Sequence, residues 1–466
     1  MYLMLFAIYI LSILAVIFIE RKNPTDALFW VTIMILLPYA GTILYLIFGS
    51  TVGIKITKFI RGKRIKEAGV DLSGGNVKLK NAEISVEDME VMKFNYFYNG
   101  SMVTCYDNAE IFTTGKEHYE RLFQDIREAE ECIYIEFYTI HNDIMGHSLV
   151  KALTEKAAEG VKVLVLCDFI ANLKTPAKMF KPLKEAGGKV VRVKPYLTNY
   201  RSHRKIVAID HRVSYIGGMN IGKQYANLGK KKNPWRDTQV RLEGRCTAVL
   251  DEYFLTDWVS AVKRKDLNRT TEYIESLETN TYDETGNVCQ FIAGGVDNSK
   301  ESAKMCYLSM IRSAEKVIRI QSPYFIPDPS VLDALKTAAA SGVKIQLMIP
   351  EIKASFFLDP VTTYYAGELM EYGAEVYKYH GYIHAKTMVI DNELCCIGSV
   401  NMDRRSLIVN DEICGVFYKN EMAENYSRIY EEDKKECTVY TLEDFRGRST
   451  SEKIQEAVFI LFAPLM

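Results

Sequence analysis

Three segments of this 466-residue chain recur in the same order about 180 residues downstream, and that repeat constrains the fold more than any other feature. Arg127 to Ile135 (REAEECIYI) is echoed by Arg312 to Ile320 (RSAEKVIRI). Ala157 to Val163 (AAEGVKV) is echoed by Ala339 to Ile345 (AASGVKI), and His203-Arg204-Lys205 by His384-Ala385-Lys386. So long a period indicates two similar domains, not a solenoid of short units. In each copy a helix-like stretch ends in Gly and runs into a β-branched strand, Val161 to Leu166 in one and Val343 to Ile349 in the other. Alternating helices and apolar strands predict an α/β sandwich in each half.

The first fifty residues are of a different kind. Tyr2 to Ile19 is apolar except for Ser12, and Ala27 to Phe48 is a second uncharged run. Each approaches the roughly 20 residues that a helix needs to cross the hydrocarbon core, so a two-helix transmembrane hairpin is expected over 1–50. No basic residue precedes the first run, as a signal peptide would require. Glu20-Arg21-Lys22 and Asp26 give the connector mixed charge, whereas Lys55, Lys58, Arg61, Lys63, Arg64 and Lys66 follow the second run unopposed. The positive-inside rule then places everything downstream in the cytoplasm, with this basic segment against anionic headgroups. Asp71 to Gly75 reads as part of a linker. The expected units are 1–50 (hairpin), 51–95 (basic segment and linker), 96–275 (first half) and 276–466 (second half). Ala457 to Phe462, too short to span, belongs to a terminal helix on the core or the bilayer edge.

Composition narrows the function classes. A formal net charge of −1 gives no bulk attraction to nucleic acid, so no nucleic-acid partner is expected. The ten cysteines are scattered without zinc-ligand spacing, which fits free thiols in a reducing compartment.

The chemistry lies in two His-x-Lys-x-x-x-x-Asp constellations: His203, Lys205 and Asp210 in HRKIVAID, and His384, Lys386 and Asp391 in HAKTMVID. His and Lys two apart in a strand-like run point to one face. Gly217-Gly218, Asn220 and Trp235-Arg236-Asp237 follow the first. Gly398-Ser399, Asn401, Asp403-Arg404-Arg405-Ser406 and Asn410-Asp411-Glu412 follow the second. An acid at Asp237 or Glu412 is suited to hold a catalytic imidazole in one tautomer.

Both constellations resemble the HKD motifs of the phospholipase D superfamily. The flanks GGMNIG…WRD and IGSVNMDRRS…NDE, ERKNP and LPYAGTILYLIFG in the hairpin, and Pro323 to Pro327 (PYFIP) are similar to its bacterial cardiolipin synthase branch. His211 where a Gly often follows the first motif's Asp, and Gly294-Gly295-Val296 for a more usual Ser-Gly-Pro, are the two departures. The resemblance implies two phospholipase D-type domains with the active site at their interface. It also implies a multi-pass cell-membrane enzyme without metal or cofactor, which turns phosphatidylglycerol into cardiolipin and glycerol. One histidine would attack phosphorus and the other act as acid and base. His203 is assigned the first role and His384 the second, and the reverse fits the sequence equally. Lys205, Lys386, Asn220, Asn401 and Ser399 would meet the phosphoryl oxygens. Asp210 and Asp391 would orient or ion-pair, with Asp237 and Glu412 in support. A phospholipase D hydrolase, or a transferase taking phosphatidylethanolamine as donor, fits the same motifs. Lys230 to Lys232 is either a headgroup contact or a solvated loop.

Overall fold

The computed structural model describes residues 2–19, 24–50, 52–67, 78–79, 85–195, 200–228, 234–262, 283–284, 287–295, 301–418 and 421–466. The connector at 20–23, the expected linker segment 71–75, Val296 and Lys230 to Lys232 lie outside the described residues.

The repeat is realised as two sheets of the same strand order. The first contains β2 (Asn108–Phe112), β3 (Cys132–Phe137), β4 (Lys162–Asp168), β5 (Lys189–Val193), β6 (Ile206–Ile209), β7 (Val213–Gly217) and β8 (Gln239–Glu243), in the order β2-β8-β7-β6-β3-β4-β5. In the second, β9 (Asn287–Gly294), β15 (Glu412–Tyr418), β14 (Leu394–Gly398), β13 (Thr387–Ile390), β10 (Val317–Gln321), β11 (Lys344–Pro350) and β12 (Glu375–Tyr379) follow one another in that order. Two edge strands extend it, β1 (Val103–Tyr106) beside β9 and β16 (Cys437–Tyr440) beside β12. β3, β4 and β5 pair in parallel, as do β10, β11 and β12. The helices between them supply the crossovers that parallel pairing needs. Both central runs are buried, which is why they read as continuous apolar stretches.

One boundary differs from the sequence expectation. Residues 96–106 were grouped with the first half, yet β1 pairs with β9, and the helix Val86–Asn99 packs on Ser302–Ser313 of the second half. A shared apolar cluster joins the halves, with Tyr134, Phe254 and Trp258 from one and Phe291, Phe417 and Tyr426 from the other.

The N-terminal segment holds α1 (Tyr2–Leu14), continued by a π-helical turn Ala15–Ile19, then α2 (Pro24–Leu36), α3 (Ala40–Leu44) with a π turn Tyr45–Gly49, and α4 (Val52–Glu67). The first apolar run is helical throughout. The second is broken at Pro38, followed by Tyr39 at φ 63°, because a proline cannot donate the next helical hydrogen bond. The chain folds back there, so Trp30 meets Tyr45 with ring centroids 5.3 Å apart. Gly49 lies against the Trp30 indole, where a Cβ would come within 2.3 Å. By length and composition, one described stretch, Ala40–Glu67, is long and apolar enough to cross a bilayer, while Phe6–Phe18 and Pro24–Leu36 are shorter apolar helices. Leu3, Phe6, Leu11, Phe18, Leu28 and Leu36 are all exposed.

α4 is only partly the membrane-facing basic segment expected of it. Arg61 is buried in the protein, where Nη2 bonds Asp257 Oδ1 and Nη1 bonds Asp411 Oδ2, both at 2.7 Å. Its Nη1 also donates to the Tyr200 hydroxyl at 3.1 Å, and Arg64 donates to the Ser260 carbonyl at 2.6 Å. Removing one member of a buried ion pair strands the other, at a cost of about 3 kcal/mol. Arg61→Met is therefore expected to lower the melting temperature in detergent by several degrees. An unchanged melting curve would show that Asp257 and Asp411 do not need it.

Candidate active site

Each motif occupies the lead-in to a strand. His203 and Lys205 precede β6, and His384 and Lys386 precede β13. The motif aspartates sit at the far ends of those strands, in left-handed turns with φ 50° at Asp210 and 53° at Asp391. The Asp210 carboxylate accepts the backbone N–H groups of Glu130, Glu131 and Cys132 at 2.8, 2.8 and 2.9 Å. Asp391 does the same for Glu315, Lys316 and Val317 at 2.7, 2.8 and 2.6 Å. Among the described residues neither lines the cavity or pairs with a cation; each fastens the end of one strand to the start of its neighbour. His211, beside Asp210, is a turn residue whose Nδ1 lies 2.8 Å from Asp251.

The two histidines are completed by exchange between the halves. His203 Nδ1 lies 2.8 Å from Glu412 Oε2 of the second half, and the His203 N–H donates to the Asp411 carbonyl at 2.9 Å. His384 Nδ1 lies 2.6 Å from Asp237 Oδ2 of the first half, and its N–H donates to the Arg236 carbonyl at 2.6 Å. A carboxylate on Nδ1 holds that nitrogen protonated and leaves Nε2 with a free lone pair. Ser399 is buried away from the cavity, where its hydroxyl donates to Glu412 Oε2 at 2.5 Å. That hydroxyl also lies 3.2 Å from the Ile413 carbonyl. The matching residue of the first half is Gly218, where a Cβ would strike Asp237 Oδ1 at 2.2 Å, so glycine is required for that acid to reach His384.

A cavity of about 510 Å³ opens between the halves, lined by both histidines, Asn220, Asn401, Arg201 and Arg405 among others. Asn220 accepts the Thr139 N–H at 3.1 Å and donates to the Tyr225 hydroxyl at 2.8 Å, while Asn401 donates to the Ser406 hydroxyl at 3.3 Å. A larger cavity, about 700 Å³, lies beneath α4, but neither histidine lines it. Lys205 and Lys386 are fully buried behind the histidines, each ammonium donating to the carbonyl of its own motif histidine. Lys386 Nζ also lies 2.7 Å from His384 Nδ1. The charge-assisted bond to Asp237 is the stronger claim on that nitrogen.

Burial dominates the electrostatics. It pulls both imidazoles down to about 4 against the opposing pull of Glu412 and Asp237. The same desolvation brings Lys205 to about 7 and Lys386 to about 8, partly offset by Glu412 and Asp237 respectively. For Asp237 burial acts upward, yet Lys386 and His384 outweigh it and the carboxyl is held below its usual range.

Sequence reasoning gave no role to Arg201, Arg405, Tyr138 or the aromatic residues around His384, although Arg405 and Trp235 stand in the motif flanks. Arg201 was findable, since it stands two before His203 and so shares the face of His203 and Lys205.

The family model described as "Cardiolipin synthase, PLD-like domain" matches residues 122–258 and 307–434, one copy per sheet. The chain belongs to this family. A second model, "Phospholipase_D-nuclease N-terminal", matches residues 7–50. A cardiolipin synthase of Listeria welshimeri is 34% identical, with 97% of this chain and 95% of that protein covered. The major cardiolipin synthase ClsA of Bacillus subtilis is 33% identical over 99% and 98%. A crystal structure of phosphatidylserine synthase from Haemophilus influenzae superposes with a TM-score of 0.62 at 12% identity, covering 81% of this chain and 98% of that one, which establishes a common fold.

Two outcomes follow from the geometry. Glu412→Gln and Asp237→Asn, which keep shape and lose the charge behind each imidazole, are each expected to lower kcat by about 10²- to 10⁴-fold. Because the lysines titrate from charged to neutral near 7 and 8, kcat/KM is expected to fall as pH rises past about 8. Activity flat from pH 7 to 10 would refute a role for their charge.

Proposed function

We propose that the protein is a cardiolipin synthase that transfers a phosphatidyl group from one phosphatidylglycerol to the hydroxyl of another, releasing glycerol. The observation that carries the reading is the pair of histidines, each seated on a carboxylate of the other half and sharing one cavity. His203 Nε2 attacks phosphorus, and the P–O bond to glycerol breaks as the alkoxide takes a proton from His384. His384 then removes the proton from the acceptor hydroxyl, whose oxygen displaces His203 to give cardiolipin. Burial keeps both imidazoles neutral near pH 7. The anionic phosphodiester brings the opposite charge that raises one of them to the protonated state. Lys205 and Lys386 supply positive charge from behind, and Asn220 and Asn401 hydrogen-bond the phosphoryl oxygens. Asp210 and Asp391 act at a distance, by fixing the strand ends.

The chain associates with the membrane, as its family and apolar helices indicate. We place the sheets on the cytoplasmic side of a multi-pass anchor, with phospholipids as partners and no nucleic acid. Leu465 packs against the N-terminal helical cluster and also lines the cavity, so lipid has a short path from the apolar helices to the histidines.

Purified protein in liposomes of phosphatidylglycerol alone is expected to yield cardiolipin and glycerol by mass spectrometry, and phosphatidic acid without cardiolipin would make it a hydrolase. The histidine roles separate with a phosphodiester bearing nitrophenolate, a leaving group that needs no proton. His384→Ala should release a stoichiometric burst of nitrophenol and His203→Ala none; the opposite result would reverse the assignment.

A further inference from the structure

The histidine pair is close to two-fold symmetric, and its surroundings are not. The internal repeat that carries His203 onto His384 and Asn220 onto Asn401 carries Arg201 onto Tyr382 and Gln224 onto Arg405. Both arginines line the cavity. Their counterparts are neutral: Tyr382 stacks beside His384 with centroids 6.0 Å apart, and Gln224 is bonded to His141 at 2.9 Å. Tyr225 and Trp235 complete an aromatic wall around His384, with centroids at 5.9 and 5.3 Å. The cavity therefore carries an extra pair of cations that the two-fold logic of the histidines does not call for.

The arginines are close enough to feel one another. Burial lowers the Arg405 pKa, Asp403 opposes that, and the Arg201 charge adds to the depression. Arg201 Nη1 donates to the Tyr200 carbonyl at 2.9 Å, and the Arg405 backbone N–H to the Met466 carbonyl at 3.1 Å. Asp403 and Glu412 act on Arg405, and Asp168 acts on Arg201, so the two guanidiniums are held charged at the cavity wall where an anionic ligand can reach both.

The proposed reaction brings such an anion. The reacting phosphodiester sits between the histidines. An acceptor phosphatidylglycerol carries a second phosphodiester, held one glycerol unit away from its attacking hydroxyl. Water and simple alcohols carry none. We propose that Arg201 and Arg405 bind the phosphodiester of the acceptor lipid, so that an anionic glycerophospholipid outcompetes water for the phosphatidyl-enzyme. Arginine suits the task because its planar fork pairs with phosphate oxygens in two parallel hydrogen bonds. The inference rests on the phosphatidyl-transfer reading and adds to it the choice of acceptor.

The test uses partitioning of one intermediate. Full-length protein in phosphatidylglycerol liposomes, with ethanol in the buffer, yields cardiolipin, phosphatidylethanol and phosphatidic acid from a common phosphatidyl-enzyme. In Arg201→Gln/Arg405→Gln the ratio of cardiolipin to phosphatidic acid is expected to fall roughly tenfold or more, while the ratio of phosphatidylethanol to phosphatidic acid holds. Should the double variant yield too little product, the single variants Arg201→Lys and Arg405→Lys must each move the cardiolipin ratio in the same direction by a smaller factor. An unmoved cardiolipin ratio overturns the proposal. So does an equal fall of all three products, which would assign the arginines to the donor. Failure of the unmodified protein to form cardiolipin would instead sink the transfer reading itself.

Discussion

The exchange of acids between the halves is the constraint on which the site depends. His203 has its carboxylate on the second sheet and His384 has its carboxylate on the first, with backbone hydrogen bonds alongside both. Neither half can complete its own histidine, so the sheets must hold one relative position. The hydrogen bonds are not what makes the pairing stable: a bond to a charged group contributes about 1.5–3 kcal/mol net. A single buried Phe or Leu contributes as much, and the shared cluster holds several, among them Leu250, Phe254, Phe291 and Phe417. The apolar interface supplies stability, and the crossed acids select which of its possible registers is catalytic.

Burial then sets the charge state. The same desolvation that lowers both imidazoles also lowers both lysines, so burial alone leaves the site with less positive charge than two histidines and two lysines would carry in water. Cationic groups held below their ordinary affinity for protons recover it when an anion arrives. The site is thus a receptor whose protonation follows its ligand, and a phosphodiester is the kind of ligand that completes it.

Much of this was legible in the sequence. The repeat predicted two like units, and both sheets have one strand order because the same helix–Gly–strand grammar was written twice. Asp237 and Glu412 were recognisable as candidate acids for the imidazoles, since each follows its motif within about 35 residues and stands at the head of a later strand of its sheet. Which histidine each would serve was not legible, because crossing between halves is a property of packing and leaves no trace in spacing. Asp210 and Asp391 carried an orienting or ion-pairing expectation; a four-residue strand separates each from its histidine, and each carboxylate holds backbone N–H groups at the far strand end. The bond from Ser399 to Glu412 was not legible either, because the serine's partner lies on the neighbouring strand, 13 residues on. Arg61 stood in a run of basic residues whose composition matched a membrane-facing helix, and a buried guanidinium looks the same in sequence as a solvated one. Pro38 was visible, but an apolar run of sufficient length outweighed it; the fold-back onto Trp30 is what the proline decides.

The placement of the apolar helices relative to the cavity follows from two neighbouring residues. Arg404 forms a bidentate pair with Asp26 in the first turn of α2, with Nη1 to Oδ1 at 2.7 Å. Arg405, next in the chain, lines the cavity. Consecutive Cα atoms are about 3.8 Å apart, so the anchor helix and the cavity wall cannot shift independently by more than a side chain's reach. Phe462 against Phe29, with ring centroids 6.3 Å apart, fixes the same relation from the C-terminal side. A lipid hydroxyl has to outcompete water at the phosphatidyl-enzyme, and these contacts set the histidine cavity beside an apolar surface. Selectivity for a lipid hydroxyl is then served from one wall by two features, the short path from helix to cavity and the arginine charge beside it.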